Sequence, residues 1–157
     1  MAQPDVSKRK LGDRISLTLL TLARLVSTRM FGEFQAERFG VQVGETAGRE
    51  LAGGLDAKEV PKAIVDCAKE CGLGSMKFEP GKGKGERYEP IGLFRVAESA
   101  ESYGIGKVEK PACNVMRGLI RGALAAAYHQ ENISVKEVKC AALGGAECVF
   151  EANWVPM

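Results

Sequence analysis

Between residues 13 and 30, apolar side chains recur at three- and four-residue spacing, with Ile15, Leu19, Leu22 and Val26 on one helical face. Leu17, Leu20 and Leu25 widen that face beyond a single stripe, the pattern of a helix that packs on two sides, including against a second subunit. Gly32 ends it. Residues 34–51 read as a second helix, in which Gly40, Gly44 and Gly48 fall four apart and share a face. A glycine inside a helix costs about 1 kcal/mol relative to alanine. The stripe therefore marks either a close approach of another helix or a ligand, or a glycine-softened amphipathic helix. Gly53-Gly54 breaks the chain. Asp56, with Glu59 three residues on, forms the capping box of a third helix that runs to Cys71 and stops at Gly72. Cys67 and Cys71 share one face of that helix and read most simply as small buried hydrophobes.

After Gly74 the period changes. Residues 76–79 and 88–96 read as strands around the polar turn 80–87. Its Gly-Lys repeats lack the phosphate-loop spacing and precede a strand rather than a helix. Pro111 is placed to open a long helix to Tyr128, because its missing N–H costs nothing in a first turn. Val115, Met116, Leu119, Ile120, Ala123, Leu124 and Ala127 make that helix broadly apolar. Gly118 and Gly122 are again four apart, and Arg117 and Arg121 form its charged ridge. Residues 133–139 and 147–154 close the chain as a hairpin. The predicted class is α+β: an antiparallel sheet flanked by helices, with long N-terminal helices and a C-terminal hairpin. Residues 1–12 are expected to be a flexible tail and 13–157 one domain.

Composition narrows the function. The chain has 157 residues and a formal net charge of +2, without the basic stripe of a nucleic-acid binder. Its dense basic run, Lys8-Arg9-Lys10, lies in the expected tail. Arg14, Arg24 and Arg29 interrupt the apolar N-terminal stretch, against both a signal peptide and a membrane span. Five cysteines, an odd number, argue against a disulfide framework. A cytoplasmic protein is expected.

The candidate chemistry lies in the C-terminal hairpin. With Gly144-Gly145 at the turn, Cys140 and Cys148 face each other across the strands, where opposed Cβ atoms lie about 4.5–5.5 Å apart. In a reducing compartment such a pair holds a metal, forms a reactive thiol pair, or packs the core. A structural zinc needs four ligands. Cys113, at the start of the long helix, is the natural third. Glu137 is a candidate fourth, with His129, the sole histidine, and then Glu147 behind it. Glu137 and Cys140 differ by an odd number of positions, so in a regular strand they face opposite sides. The set closes only if the strand ends or bulges between them.

The segment from Val96 to Phe150 resembles the 4-vinyl reductase, or hydrocarbon-binding, domain family. The resemblance rests on Glu98-Ser99-Ala100-Glu101, Pro111-Ala112-Cys113 and Gly118-x-x-x-Gly122. After them come Val135-Lys136-Glu137-Val138-Lys139-Cys140, Gly144 and Cys148-Val149-Phe150. It implies a fold like that of TRAPP tethering-complex subunits, usually dimeric. In the family's aromatic-responsive sensors it implies zinc held by three cysteines and a glutamate, which here are Cys113, Glu137, Cys140 and Cys148. The chain departs from the phenol sensors, whose pocket uses a histidine and a tryptophan. Its sole histidine, His129, and sole tryptophan, Trp154, stand elsewhere. Phenol is therefore not the expected ligand.

The leading expectation is a domain that binds a small hydrophobic or aromatic ligand and carries a structural zinc (Zn2+), acting as a homodimer. Phe94, Val96, Met116, Leu119, Ile120 and Ala123 are its expected pocket lining, although any one of them taken singly reads as core. An alternative is a tetrapyrrole vinyl reductase or its accessory factor. No dinucleotide fingerprint or cofactor attachment motif supports that reduction. A second alternative is a dimeric scaffold or assembly protein.

Overall fold

The computed structural model of the chain describes residues 17–82, 90–103 and 108–155. The expected tail over residues 1–12, and residues 83–89 with most of the Gly-Lys turn, lie outside the described residues. Helices α1 (Leu17–Phe31) and α2 (Glu33–Ala52) meet at Gly32. There follow α3 (Val60–Glu70), β1 (Ser75–Pro80), β2 (Pro90–Ala97), α4 (Asn114–Tyr128), β3 (Ile133–Lys139), a 3-10 turn (Ala141–Leu143) and β4 (Cys148–Trp154). The strands form one antiparallel sheet in the order β1-β2-β4-β3, so the chain adopts the expected α+β architecture.

Alternation along the strands sends one set of side chains inward. Met76, Phe94, Val96, Val135, Phe150 and Ala152 meet Val60, Ile64 and Ala68 of α3 and the apolar face of α4. Elsewhere on the sheet Arg95 reaches Glu79 at 2.8 Å and Glu147 at 2.6 Å.

The glycine stripes meet each other. A Cβ built on Gly44 or Gly48 would collide with the carbonyl of Val115 or Leu119, and one on Gly118 or Gly122 with the carbonyl of Val41 or Glu45. Contacts advance in the same direction along both helices, so α2 and α4 run parallel, backbone against backbone. Small residues permit this approach, and arginine–glutamate pairs bracket it. Arg117 meets Glu37 at 2.9 Å, and Arg121 meets Glu45. Of the two readings of the stripe, close helix approach is the one realised.

Three local expectations are corrected. Helix α3 begins at Val60, not after Asp56. Glu59 does accept the Asp56 N–H at 3.3 Å, but the pair closes a turn, and Pro61 occupies the first turn of the helix. Pro111 does not open α4, which begins at Asn114. Cys113, with φ −87° and ψ 68°, is non-helical and donates its N–H to Glu137 Oε2 at 3.0 Å. Cys71 is exposed and Cys67 half-buried, because the buried stripe of α3 is Val60, Ile64 and Ala68.

Candidate functional site

Strand β3 runs Ile133, Val135 and Glu137 inward in strict alternation, then places both Val138 and Lys139 outward and Cys140 inward. The register against β4 shifts between Glu137 and Lys139. This is the bulge that the parity of Glu137 and Cys140 requires: one extra residue restores Cys140 to the face of Glu137. The 3-10 turn then reverses the chain, with Gly144 at φ 93°, and delivers Cys148 to the start of β4.

Cys113 Sγ, Cys140 Sγ, Cys148 Sγ and a Glu137 carboxylate oxygen all lie within 4.8 Å of one another, and all four residues are buried. Among the described residues this is the one group of three or more Cys, His, Asp or Glu able to hold a metal ion. Glu147 and His129 are outside it. Cys113 and Cys148 sulfurs are 3.5 Å apart, with a shared S–H between them. That contact, burial and the nearby carboxylates push the Cys113 thiol far up, while Cys148 is drawn down to about 7 chiefly by the bond from Cys113. Burial, followed by a hydrogen bond with Glu137, raises Cys140 to about 11.

The residues fit a metal by an independent observation. Glu137 Oε2 accepts the Cys113 N–H, but its buried Oε1 has no partner. An unpaired buried polar atom costs about 1–3 kcal/mol, and a cation among the three sulfurs would satisfy it. Supporting contacts are in place as well. Ala141 N–H donates to Cys148 Sγ at 3.3 Å, Ser99 Oγ lies 3.4 Å from Cys113 Sγ, and Ser102 Oγ lies 3.9 Å from Cys148 Sγ. Such outer contacts orient metal ligands.

Glu101 is a functional residue that the sequence did not assign. Its two oxygens accept the N–H groups of Val115 at 2.8 Å and Met116 at 2.7 Å, capping α4 from a distant loop. Burial raises its carboxyl to about 7 despite those two bonds. The signal was the Glu98–Glu101 stretch, whose spacing alone does not show what the carboxylate caps.

Glu101 also borders a cleft of about 210 Å³ between α1, α2 and the entry to α4. Its apolar wall includes Ala23, Ala36, Phe39, Val43 and Val115, and Arg24 and Lys110 lie at its polar side. The six residues expected from the sequence to line a pocket lie elsewhere. Phe94, Val96, Met116, Leu119, Ile120 and Ala123 are each at most 3% exposed in the packed core, and none lines this cleft.

Residues 93–153 match the family model of the 4-vinyl reductase domain. This segment is a 4-vinyl reductase domain. It contains all four members of the Cys/Glu cluster and the whole of α4. No curated protein matches the sequence. Among solved structures, the 4-vinyl reductase segment and its N-terminal helices are together similar to the phenol-responsive sensory domain of the transcription activator PoxR. That likeness has a TM-score of 0.77 at 16% identity, over 89% of this chain and 75% of that one. A vinyl-4-reductase family protein from Methanocaldococcus jannaschii gives 0.65 at 19% identity, over 95% and 85%. A trafficking protein particle complex subunit 3 from Naegleria fowleri, covalently bound to palmitic acid, gives 0.62 at 17% identity, over 88% and 93%. At these identities the likeness is one of fold.

Proposed function

We propose that the chain binds a small hydrophobic or aromatic molecule in the cleft between α1, α2 and α4, as a sensor-like domain stabilised by a structural zinc. One observation carries this reading. Cys113 belongs to the metal-binding cluster, while its neighbours Pro111, Ala112, Asn114 and Val115 line the cleft. Whatever fixes Cys113 therefore fixes one wall of the cleft. Cys113, Glu137, Cys140 and Cys148 would hold the ion, and a zinc with four protein ligands has a structural rather than catalytic role. Apolar walls with a few polar groups at one side suit a hydrophobic ligand. The sensory domain of PoxR, described with phenol, and the palmitate-bound trafficking subunit share the fold and lend support to ligand binding.

The domain is further proposed to act as a homodimer in the cytoplasm. Phe39 and Val43 on the cleft wall are 60% and 44% exposed, and the apolar surface continues through Leu22, Leu25 and Val26 of α1. A second copy seated on that surface would roof the cleft. Among the described residues no helix is long and apolar enough to cross a membrane.

Native mass spectrometry of the untagged chain, beside an Ala36→Phe variant that fills the cleft, tests the proposal. The expected result is one zinc per chain, a dimeric mass, and uptake of a hydrophobic probe that Ala36→Phe abolishes. A folded, metal-free chain would overturn the zinc assignment, and unchanged probe uptake by the variant would overturn the cleft.

A further inference from the structure

Helix α3 carries a second thiol pair, far in sequence from the Cys/Glu cluster. Cys67 and Cys71 stand one helical turn apart with their sulfurs 3.9 Å from each other. The backbone holds that spacing. Cys71 N–H donates to Cys67 O at 2.9 Å, Gly72 N–H to Lys69 O at 3.1 Å and Leu73 N–H to Ala68 O at 2.8 Å. The last two bonds form a Schellman closure, which locks the end of the helix around Cys71. Cys71 is exposed, so the pair opens to solvent.

This geometry disfavours a disulfide. Residues four apart on a helix have Cβ atoms about 5–6 Å apart, whereas a disulfide needs about 3.5–4.5 Å. Oxidation would have to break the locked turn. A single bridging ion fits without that cost. Two sulfurs each about 2.3 Å from one ion, at a tetrahedral angle, lie about 3.8 Å apart. A wider angle is reached by rotating the exposed Cys71 side chain. The Cys/Glu cluster is the one group of three or more ligand residues among the described residues, so among them no carboxylate or histidine completes a set around Cys67 and Cys71. Zinc, which takes four ligands in structural sites, is poorly served by two. A soft ion content with two thiolates is well served.

We propose that Cys67 and Cys71 form a solvent-facing dithiolate site for a soft monovalent ion of the copper(I) type. Binding breaks two S–H bonds, releases both protons to solvent and forms two sulfur–metal bonds, with no change of oxidation state. Without an ion the pair is a poor nucleophile, because burial and the neighbouring sulfur raise the Cys67 thiol to about 11. The site does not depend on the proposed ligand-binding function or on the zinc.

The test uses the full zinc-loaded chain under anaerobic conditions, titrated with copper(I) from a bicinchoninate complex and followed by native mass spectrometry. Wild type should take up one copper ion more per chain than a Cys67→Ser/Cys71→Ser double variant. Cys71→Ser alone, at an exposed position, should lose that ion while keeping its helical circular dichroism. Zinc should stay bound throughout. Equal copper uptake by wild type and the double variant overturns the proposal, and zinc release with that uptake would place the copper in the Cys/Glu cluster instead.

Discussion

Glu137 places two demands on one carboxylate. Oε2 accepts the N–H of Cys113 at 3.0 Å, and Oε1 is buried without a partner. Glu137→Gln keeps an oxygen for the Cys113 N–H but replaces a good metal ligand by a poor one. It should weaken zinc binding by at least about tenfold, the scale of losses around a metal site, as read by chelator competition. Unchanged affinity would remove Glu137 from the ligand set. Glu101 makes a different prediction. Its carboxyl is raised by burial to about 7 from an ordinary value of 4.5, so the folded chain holds that proton more tightly than the unfolded chain. Its contribution to stability is full below 4.5 and is lost as pH rises through about 7. Glu101→Gln should flatten the decline in melting temperature across that window. Equal slopes in variant and wild type would count against it. These two acids show what the sequence held and what it did not. Spacing brought Glu137 to the cysteines and showed that a bulge was needed. Nothing in the spacing linked Glu101 to the α4 amides, because that contact depends on how the 98–103 loop folds back.

At the scale of elements, the contact of α2 with α4 is made without side chains at its closest points. Gly44→Ala, Gly48→Ala, Gly118→Ala and Gly122→Ala each drive a methyl into a backbone carbonyl. Each should cost about 1–3 kcal/mol as overpacking, measured by urea unfolding. At Gly40 the nearest atom to an added Cβ is the Asn114 side chain at 3.0 Å, which is less confining than a backbone carbonyl. Gly40→Ala also gains up to about 1 kcal/mol of helix propensity, so it should be the mildest of the five. A reversed order would mean that the helices part to admit the methyl. Four-residue spacing showed the glycine faces of both helices, but periodicity has no term for which faces meet. The bounds of β3, Ile133–Lys139, were legible because one sheet face is buried and alternation is strict until the bulge. The start of α4 was not, because Cys113 is held outside the helix by Glu137, a contact across 24 residues.

At the scale of the molecule, the core lies between one face of the sheet and α3 and α4, while α1 leaves apolar side chains outside. Leu25 and Met30 are 58% and 69% exposed, and Phe31 and Phe34 at the α1–α2 corner are 63% and 66% exposed. If this surface receives a second copy, Leu25→Glu should convert dimer to monomer in sedimentation while leaving the folded circular dichroism intact, because Leu25 contributes little to the core. A variant that remains dimeric would move the interface elsewhere. The width of the α1 apolar face was visible in the sequence. The cleft was not, since it is a gap between helix α1, helix α2 and a loop rather than a property of any one of them. The residues expected to line a pocket were the most apolar available, and the folded chain uses them to fill its centre.

The bulge at Val138 changes what kind of error the site can tolerate. Val138 points outward at 47% exposure, so its chemical identity matters little and most substitutions there should pass unnoticed. Its presence matters a great deal. Deleting it would put β3 back into unbroken alternation, turn the Cys140 side chain to the solvent face and leave Glu137 with one sulfur fewer. The site is thus written partly as a count: one position that can hold almost any letter but cannot be skipped.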